Sequence, residues 1–204
     1  MDLFTSQIDS TQNILPKDGI VNYFGPILNK EKADFYFQQL LDHMPWEHDV
    51  VQMFGKQIVT KRKVAWFGDE PFKYTYSKNT KKASIWTPEL LEIKELVEKQ
   101  THEAFNSCLL NLYHTGEEGM GWHSDDEKEL KQHGAIASLS LGSERKFAFK
   151  HKTTKEKTEL FLDHGSLLLM KGETQEYWHH RLPPTKKVNT ARINLTFRTI
   201  IRKT

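Results

Sequence analysis

The hydrophobic periodicity of this chain changes from helical to extended part-way along, and this change limits the possible folds most. Two segments, at about 30–43 and 88–106, repeat their apolar residues with helical spacing. After them come six short segments with a period of two, separated by glycines and prolines: 108–114, 135–141, 145–151, 158–163, 165–170 and 191–201. Helices first and strands later favour antiparallel strands in two sheets over a parallel βαβ sheet. The sequence therefore predicts a mainly β fold with helices on one side (α+β), and a double-stranded β-helix, or jelly roll, is the leading candidate.

Both helices carry start signals. Asn29 is a good N-cap for the first, which Pro45 ends. The second opens at 87–89 with a hydroxyl, a proline and an acid. Residues 1–28 are interpreted as a polar lead-in with short extended pieces, and 53–76 as short extended segments broken at glycines. Neither region is assigned a long strand.

Length and composition exclude several classes of protein. With 204 residues, one domain over 1–204 is expected, divided into an N-terminal extension and helix (1–50), a region 51–85, a support helix (86–107) and a core (108–201). The longest apolar run, 166–170, is far shorter than the roughly 18 residues of a spanning helix. The first residues show no secretory signal, and the single cysteine, Cys108, excludes an internal disulfide and a Cys-rich zinc finger. We therefore expect no membrane association, a monomer, and a cytoplasmic location in a bacterium or a nuclear one in a eukaryote.

The net charge is too small to indicate a partner, but its distribution is uneven. Lysine and arginine total 29 and the acids 27, which gives +2. Basic residues cluster at 61–63, 78–82, 150–157 and 186–187. These clusters are either solvated loops and strand edges or an electrostatic footprint for phosphates.

The segment 191–201 has one polar and one apolar face. Alternation places Ile193, Leu195 and Phe197 on the apolar face. The other face carries four polar residues: Arg192, Asn194, Thr196 and Arg198. Arginine pairs with carboxylates in a bidentate manner, so this face suits a small anion such as a dicarboxylate; a solvated outer face is the alternative. The strand at 108–114 similarly presents Asn111 and Tyr113 on one side.

His123 and Asp125 form a candidate metal-binding pair. Two residues apart on an extended segment, their side chains leave the same face. A distant histidine would complete a triad of two histidines and one carboxylate, which leaves coordination positions open on iron. His179 and His180 are both available, and spacing does not decide between them. Without that third ligand, the pair would be an ordinary surface feature.

Taken in order, several motifs resemble the AlkB family of iron(II)- and 2-oxoglutarate-dependent dioxygenases. The resemblance covers about 50–201. Its motifs are N-x-Y at 111–113, H-x-D at 123–125 followed by two acids, ASLSLG at 137–142, HR-x-P at 180–183 and R-x-N-L-T-F-R at 192–198. Such a series in this order and spacing is specific, and it favours a ligand role for His123 and Asp125 over a structural one.

The resemblance implies roles for these residues. The iron ligands would be His123, Asp125 and, from the HR-x-P context, His180. The distal carboxylate of 2-oxoglutarate would be held by Arg192 and Tyr113. The residues near its metal-chelating end would be Arg198 and Asn111, with Asn194 and Thr196 lining the same pocket.

The resemblance also implies a reaction. With Fe(II), 2-oxoglutarate and O₂, the family oxidatively demethylates N-alkylated bases, releasing formaldehyde, succinate and CO₂. The expected substrates are 1-methyladenine and 3-methylcytosine in DNA, with etheno adducts as further candidates. A dioxygenase of the same fold acting on RNA, protein or lipid is the alternative. A third hypothesis is a non-catalytic nucleic-acid-binding domain, which iron-dependent succinate formation would exclude.

The region 51–85 looks like the nucleotide-recognition region of relatives that act on duplex DNA. Phe54, beside Met53 and before the turn-forming Gly55, is the candidate wedge for the gap left by a flipped base; packing into the core is its alternative. Tyr74 and Tyr76 would stack on that base. Arg62 would bind phosphates. The remaining candidates for substrate contact are Lys56 and Thr75. Duplex DNA is favoured over single strands, with RNA not excluded.

Asp126 directly follows a proposed ligand and would place a carboxylate near the base. N1-methyladenine and N3-methylcytosine carry a positive charge. We therefore expect Asp126→Asn to lower activity on these lesions more than on neutral etheno adducts in matched repair assays. Equal losses would show that Asp126 does not discriminate by charge. The alternative is that Asp126 orients His123 or an arginine.

Overall fold

The structure is a computed structural model that describes residues 8–53, 56–76 and 79–201. Within these ranges the elements are, in chain order, β1 Ile20–Pro26, α1 Lys30–His43, β2 Glu47–Met53, β3 Lys56–Gly68, β4 Lys73–Tyr76, β5 Asn79–Lys82, β6 Ser84–Ile85, α2 Pro88–Thr101, β7 Ser107–Tyr113, β8 Met120–His123, β9 Ile136–Gly142, β10 Arg145–His151, β11 Lys157–Leu162, β12 Ser166–Lys171, α3 Thr174–Tyr177, β13 Trp178–Leu182 and β14 Arg192–Arg198. None of the described helices is long and apolar enough to cross a membrane.

Two antiparallel sheets pack face to face. The larger has the order β1-β12-β9-β14-β7-β3-β2, with β6 added in parallel to β3, and the smaller has the order β11-β10-β13-β8. One apolar cluster joins the sheets, with Leu168 and Met170 from the larger and Phe149 and Trp178 from the smaller. The predicted double-stranded β-helix is therefore confirmed.

Helices α1 and α2 cover the outer face of the larger sheet. A second apolar cluster packs Leu40 of α1 and Ile93 of α2 against sheet residues such as Leu139 and Leu195. Leu195 lies on the apolar face predicted for this strand. The opposite face of β14 is thus turned inward, between the two sheets.

The helix starts are as predicted, but α2 ends earlier than expected. Asn29 caps α1 by accepting from the Lys32 amide, and Thr87 caps α2. The sequence predicted α2 to about residue 106, whereas it ends at Thr101. His102 takes a left-handed conformation with φ 56°, and its amide donates to Glu98, which closes the helix.

Two strands differ from the sequence predictions. β1 lies in the polar lead-in and pairs with β12 at the edge of the larger sheet, with a register shift between Tyr23 and Gly25. This irregularity interrupts the alternation that would have identified the strand. β3 begins directly after Gly55 and ends at Gly68, the two glycines predicted as breaks, but with 13 residues it is longer than the short segments expected there, because both β2 and β7 pair with it.

Candidate metal centre and adjoining polar face

His123, Asp125 and His180 converge between the sheets. β8 pairs with β13 so that His123 and His180 are directly opposite, and Asp125 follows two residues after His123. One potential ligand atom from each of the three residues lies within 4.8 Å of the others. Asp125 Oδ1 is 3.7 Å from His123 Nε2 and 3.9 Å from His180 Nε2. The structure therefore brings His180 to this group.

His179, the alternative that spacing left open, points away. Neighbouring residues on a strand face opposite sides, and the His179 ring lies 3.5 Å from Ser124 Oγ. Only His180 shares a face with His123.

Both imidazoles are arranged to offer a lone pair. His123 Nδ1 is 2.8 Å from the Gly121 carbonyl oxygen, which can only accept, so Nδ1 carries the proton and Nε2 is free. His180 is 4% exposed, and burial lowers its pKa to about 3, which keeps the ring neutral. The Phe147 ring stacks on it at 5.5 Å. Two imidazoles and a carboxylate suit a ferrous ion.

Asp125 is held as an anion, and one of its carboxylate oxygens accepts a hydrogen bond from Arg198. Burial is the largest single influence and opposes its ionisation, but the charge and hydrogen bond of Arg198 together with the two neighbouring histidines outweigh burial and lower the pKa of the carboxyl. Arg198 Nη2 donates to Oδ2 at 2.8 Å, which leaves Oδ1 facing the imidazoles. The Asp125 amide donates to Gln175 Oε1 at 2.9 Å.

The polar face of β14 is buried, so the solvated alternative is wrong. Arg192 is 2% exposed, and its Nη2 donates to Ser140 Oγ and Asn194 Oδ1, both at 2.9 Å. Asn194 Nδ2 donates to Thr196 Oγ1 at 2.7 Å. Ser140 was not singled out from the sequence, although alternation in β9 would have placed it on this face.

Arg192 is a buried cation whose hydrogen-bond partners are neutral. Burial lowers its pKa to about 10, so it remains charged near neutrality. The guanidinium carbon lies 5.7 Å from the centre of the Tyr113 ring, and Nε has no hydrogen-bond partner among the described residues. Buried charges in proteins are usually paired with an opposite charge, and a carboxylate of 2-oxoglutarate could pair with the Arg192 guanidinium.

Arg62 lies inside the protein, which contradicts the prediction that it grips phosphates. It is 7% exposed, pairs with the Asp49 carboxylate, and donates to Asn111 Oδ1 at 2.8 Å and Met120 Sδ at 3.2 Å. The basic run 61–63 alternates along β3, so its middle residue points inward.

The other candidate substrate residues are only partly described. Phe54 and Gly55 lie outside the described residues. The backbones of Met53 and Lys56 end β2 and begin β3, and 74–76, including Tyr74, Thr75 and Tyr76, belongs to β4.

Asp126 is exposed, and its neighbour approaches the arginine instead. Glu127 Oε1 lies 3.9 Å from Arg198 Nη1, and burial raises the pKa of the Glu127 carboxyl. The alternative in which Asp126 orients an arginine therefore finds no support. Sequence reasoning did not separate these two adjacent acids.

Two sheets that enclose a His-Asp-His cluster beside buried arginines define the site of a non-haem iron oxygenase. A family model described as "2OG-Fe(II) oxygenase superfamily" matches residues 20–198. Alpha-ketoglutarate-dependent dioxygenase alkB homolog 3 from Bos taurus is 39% identical over 180 residues, covering 83% of this chain and 62% of that protein. DNA oxidative demethylase ALKBH2 from Homo sapiens is 38% identical over 195 residues, covering 90% and 75%.

A solved structure, "The structure of OsALKBH1", shares the fold. Its TM-score is 0.63 at 14% identity, and the match covers 91% of this chain and 99% of that one. The chain therefore belongs to the AlkB family of the 2OG-Fe(II) oxygenase superfamily. Membership implies Fe(II), 2-oxoglutarate and O₂, as the sequence predicted.

Proposed function

We propose that this protein is an Fe(II)- and 2-oxoglutarate-dependent demethylase that repairs N-alkylated bases in DNA. The main observation in support of this enzymatic activity is the convergence of the partly exposed His123 with the buried Asp125 and His180. The DNA substrate is supported by relatives named DNA oxidative demethylase, among them those of Homo sapiens and Mus musculus. 1-Methyladenine and 3-methylcytosine are the proposed lesions.

In this proposal His123, Asp125 and His180 would hold the iron. Bound iron, with 2-oxoglutarate and O₂, supplies the oxidant that hydroxylates the alkyl carbon on the base. Arg198 keeps Asp125 ionised and turns its second oxygen away from the imidazoles. No side chain has to transfer a proton in this scheme, which agrees with a polar face of neutral amides and hydroxyls beside two arginines that stay charged near neutrality.

The cosubstrate would lie along the polar face of β14. Arg192 with Tyr113 would bind the distal carboxylate, since the hydrogen bonds of Arg192 to the described residues go to neutral groups. Arg198 and Asn111 would lie toward the chelating end. Asn194, linked to Thr196, orients the Arg192 guanidinium.

Base recognition is assigned to the region 51–85, in a one-domain, monomeric protein. Pairing of β2 with β3 continues to Met53 opposite Lys56, which supports a hairpin that brings Phe54 to duplex DNA. Tyr74 and Tyr76 would stack on the extruded base, and Asp126 would contribute a carboxylate near it.

The test is a mass-spectrometric repair assay on matched single- and double-stranded oligonucleotides with one methylated adenine or cytosine. Loss of one methylene mass, with succinate and formaldehyde formed in equal amounts, is expected. Asp125→Asn keeps the side-chain shape but removes the charge, and it should abolish both products. Iron-dependent succinate formation without repair of any oligonucleotide would overturn the DNA assignment and point to a protein or lipid substrate.

A further inference from the structure

The short helix α3 contacts the backbone of the segment that carries Asp125. Gln175 Oε1 accepts from the Asp125 amide at 2.9 Å, and Gln175 Nε2 approaches Met170 Sδ at 3.5 Å. Gln175 belongs neither to the metal cluster nor to the polar face of β14. Its carboxamide touches the main chain of a proposed ligand.

Helix α3 is itself fixed to other parts of the fold. The buried Thr174 Oγ1 accepts from the Ile20 amide at 2.9 Å and donates to the Lys171 carbonyl at 2.7 Å. Lys152 Nζ donates to the Gln175 carbonyl at 2.8 Å. The side chain of Gln175 therefore starts from a backbone that β1, β12 and the turn after β10 hold in place.

Two elements thus restrain Asp125 from different directions. Arg198 of β14 holds Oδ2, and Gln175 of α3 holds the backbone amide. Together they limit both the position of the peptide and the rotation of the carboxylate. Oδ1 is left facing the Nε2 atoms of His123 and His180.

We propose that Gln175 is a positioning residue that sets the divalent-metal affinity of this site through the Asp125 amide. The inference rests on the proposed ligand roles of His123, Asp125 and His180. Partners that orient metal ligands typically contribute about 10- to 100-fold to metal affinity or activity. Loss of the Gln175 acceptor should therefore weaken metal binding by about that factor.

The test compares three variants by their dissociation constants for Mn(II), measured by electron paramagnetic resonance of the free ion without 2-oxoglutarate. Gln175→Met has a similar length but no strong acceptor, and it should weaken Mn(II) binding about 10- to 100-fold. Gln175→Glu retains the accepting oxygen and should restore binding. Glu176→Gln is the matched control on the same helix, because Glu176 contacts His133 at 3.2 Å. It should leave Mn(II) affinity unchanged.

Thermal unfolding of each metal-free variant separates positioning from general stability. Gln175→Met leaves the Asp125 amide without its acceptor and should therefore unfold at a somewhat lower temperature than the wild type. It should remain fully folded at the temperature of the binding measurement, so its weaker Mn(II) binding reports a change at the metal site. Wild-type affinity in Gln175→Met, or equal weakening in Gln175→Met and Gln175→Glu, would overturn the inference. Asp125→Asn shows which proposal fails. If it binds Mn(II) like the wild type, the metal site itself is wrong, whereas if it does not bind and Gln175→Met binds with wild-type affinity, only the role of Gln175 is wrong.

Discussion

Arg192 and Arg198 lie on the same face of β14 but have different partners. Arg198 donates to the Asp125 carboxylate, whereas the hydrogen bonds of Arg192 go to a hydroxyl and an amide oxygen. Charge-assisted hydrogen bonds are roughly twice as strong as neutral ones. The charge of Arg198 is therefore already paired within the protein. An anionic ligand would form a stronger interaction with Arg192, whose hydrogen-bond partners are neutral.

Arg192→Met should raise the KM for 2-oxoglutarate by about 10- to 100-fold, because a hydrogen bond to a charged group contributes about 1.5–3 kcal/mol. Succinate formation at varied 2-oxoglutarate concentrations measures the effect. Lys146→Met is the control, since Lys146 is paired with Glu159 on the exterior of the smaller sheet. An unchanged KM in Arg192→Met would show that the cosubstrate carboxylate binds elsewhere.

The direction of a single side chain could be predicted where it lay on a strand whose alternate residues were apolar and therefore had to face a core. Arg192 and Asn194 are such cases, because their apolar neighbours on β14 had to face a core. Arg62 is the contrary case: it lies in a basic run that suggested a solvated surface. Its inward direction depends on Asp49 and Asn111, which other strands bring beside it.

At the scale of elements, the hydroxyl of Thr174 links α3 to the neighbouring strands β1 and β12. Thr174→Ala would leave the Ile20 amide without its acceptor, and an unsatisfied buried donor costs about 1–3 kcal/mol. Urea unfolding should therefore show a lower midpoint. Thr174→Ser keeps the hydroxyl and should lose only the contribution of a methyl group, about 0.8 kcal/mol. Equal midpoints for the two variants would mean that the hydroxyl contributes nothing.

The hairpin formed by β2 and β3 is the element proposed to distinguish duplex from single-stranded DNA. Phe54→Ala should lower kcat/KM on duplex oligonucleotides while largely sparing single strands, because only a duplex needs its gap filled after base extrusion. Parallel assays on the two substrate forms with one methylated base measure the ratio. Intact turnover on the damaged duplex would count against the wedge, although not against the enzyme.

Elements were predictable where their own periodicity was regular. β7, β9, β10, β11 and β12 lie within one residue of the predicted limits because each is a short segment bounded by turn-forming or polar residues that mark its ends in the sequence. β1 was missed because a register shift breaks its alternation. The last turn predicted for α2 is absent because His102 adopts a left-handed conformation. The spacing of apolar residues does not predict such a backbone conformation.

At the scale of the whole molecule, a bound metal should stabilise the fold. Its proposed ligands come from β8, the following loop and β13, so binding requires the native arrangement of these parts. A ligand at 100 times its dissociation constant adds about 2.7 kcal/mol. For a chain of this size, Mn(II) should then raise the Tm by roughly 5–10 °C. Asp125→Asn should show no such shift in calorimetry, and an equal shift would place the bound ion elsewhere.

The sequence by itself determined the fold class and the chemical types at the site. Periodicity is a local property, so it shows which residues share a face, and the motifs supplied His123, Asp125 and the arginines in order. Only the tertiary structure decided which element covers each face. It turned Arg62 inward and placed Gln175 on the Asp125 amide. It also brought to the metal cluster His180, the histidine that the HR-x-P motif had implied by resemblance. Each of these contacts depends on distances between strands and helices far apart in the chain, and residue spacing along one element contains no information about those distances.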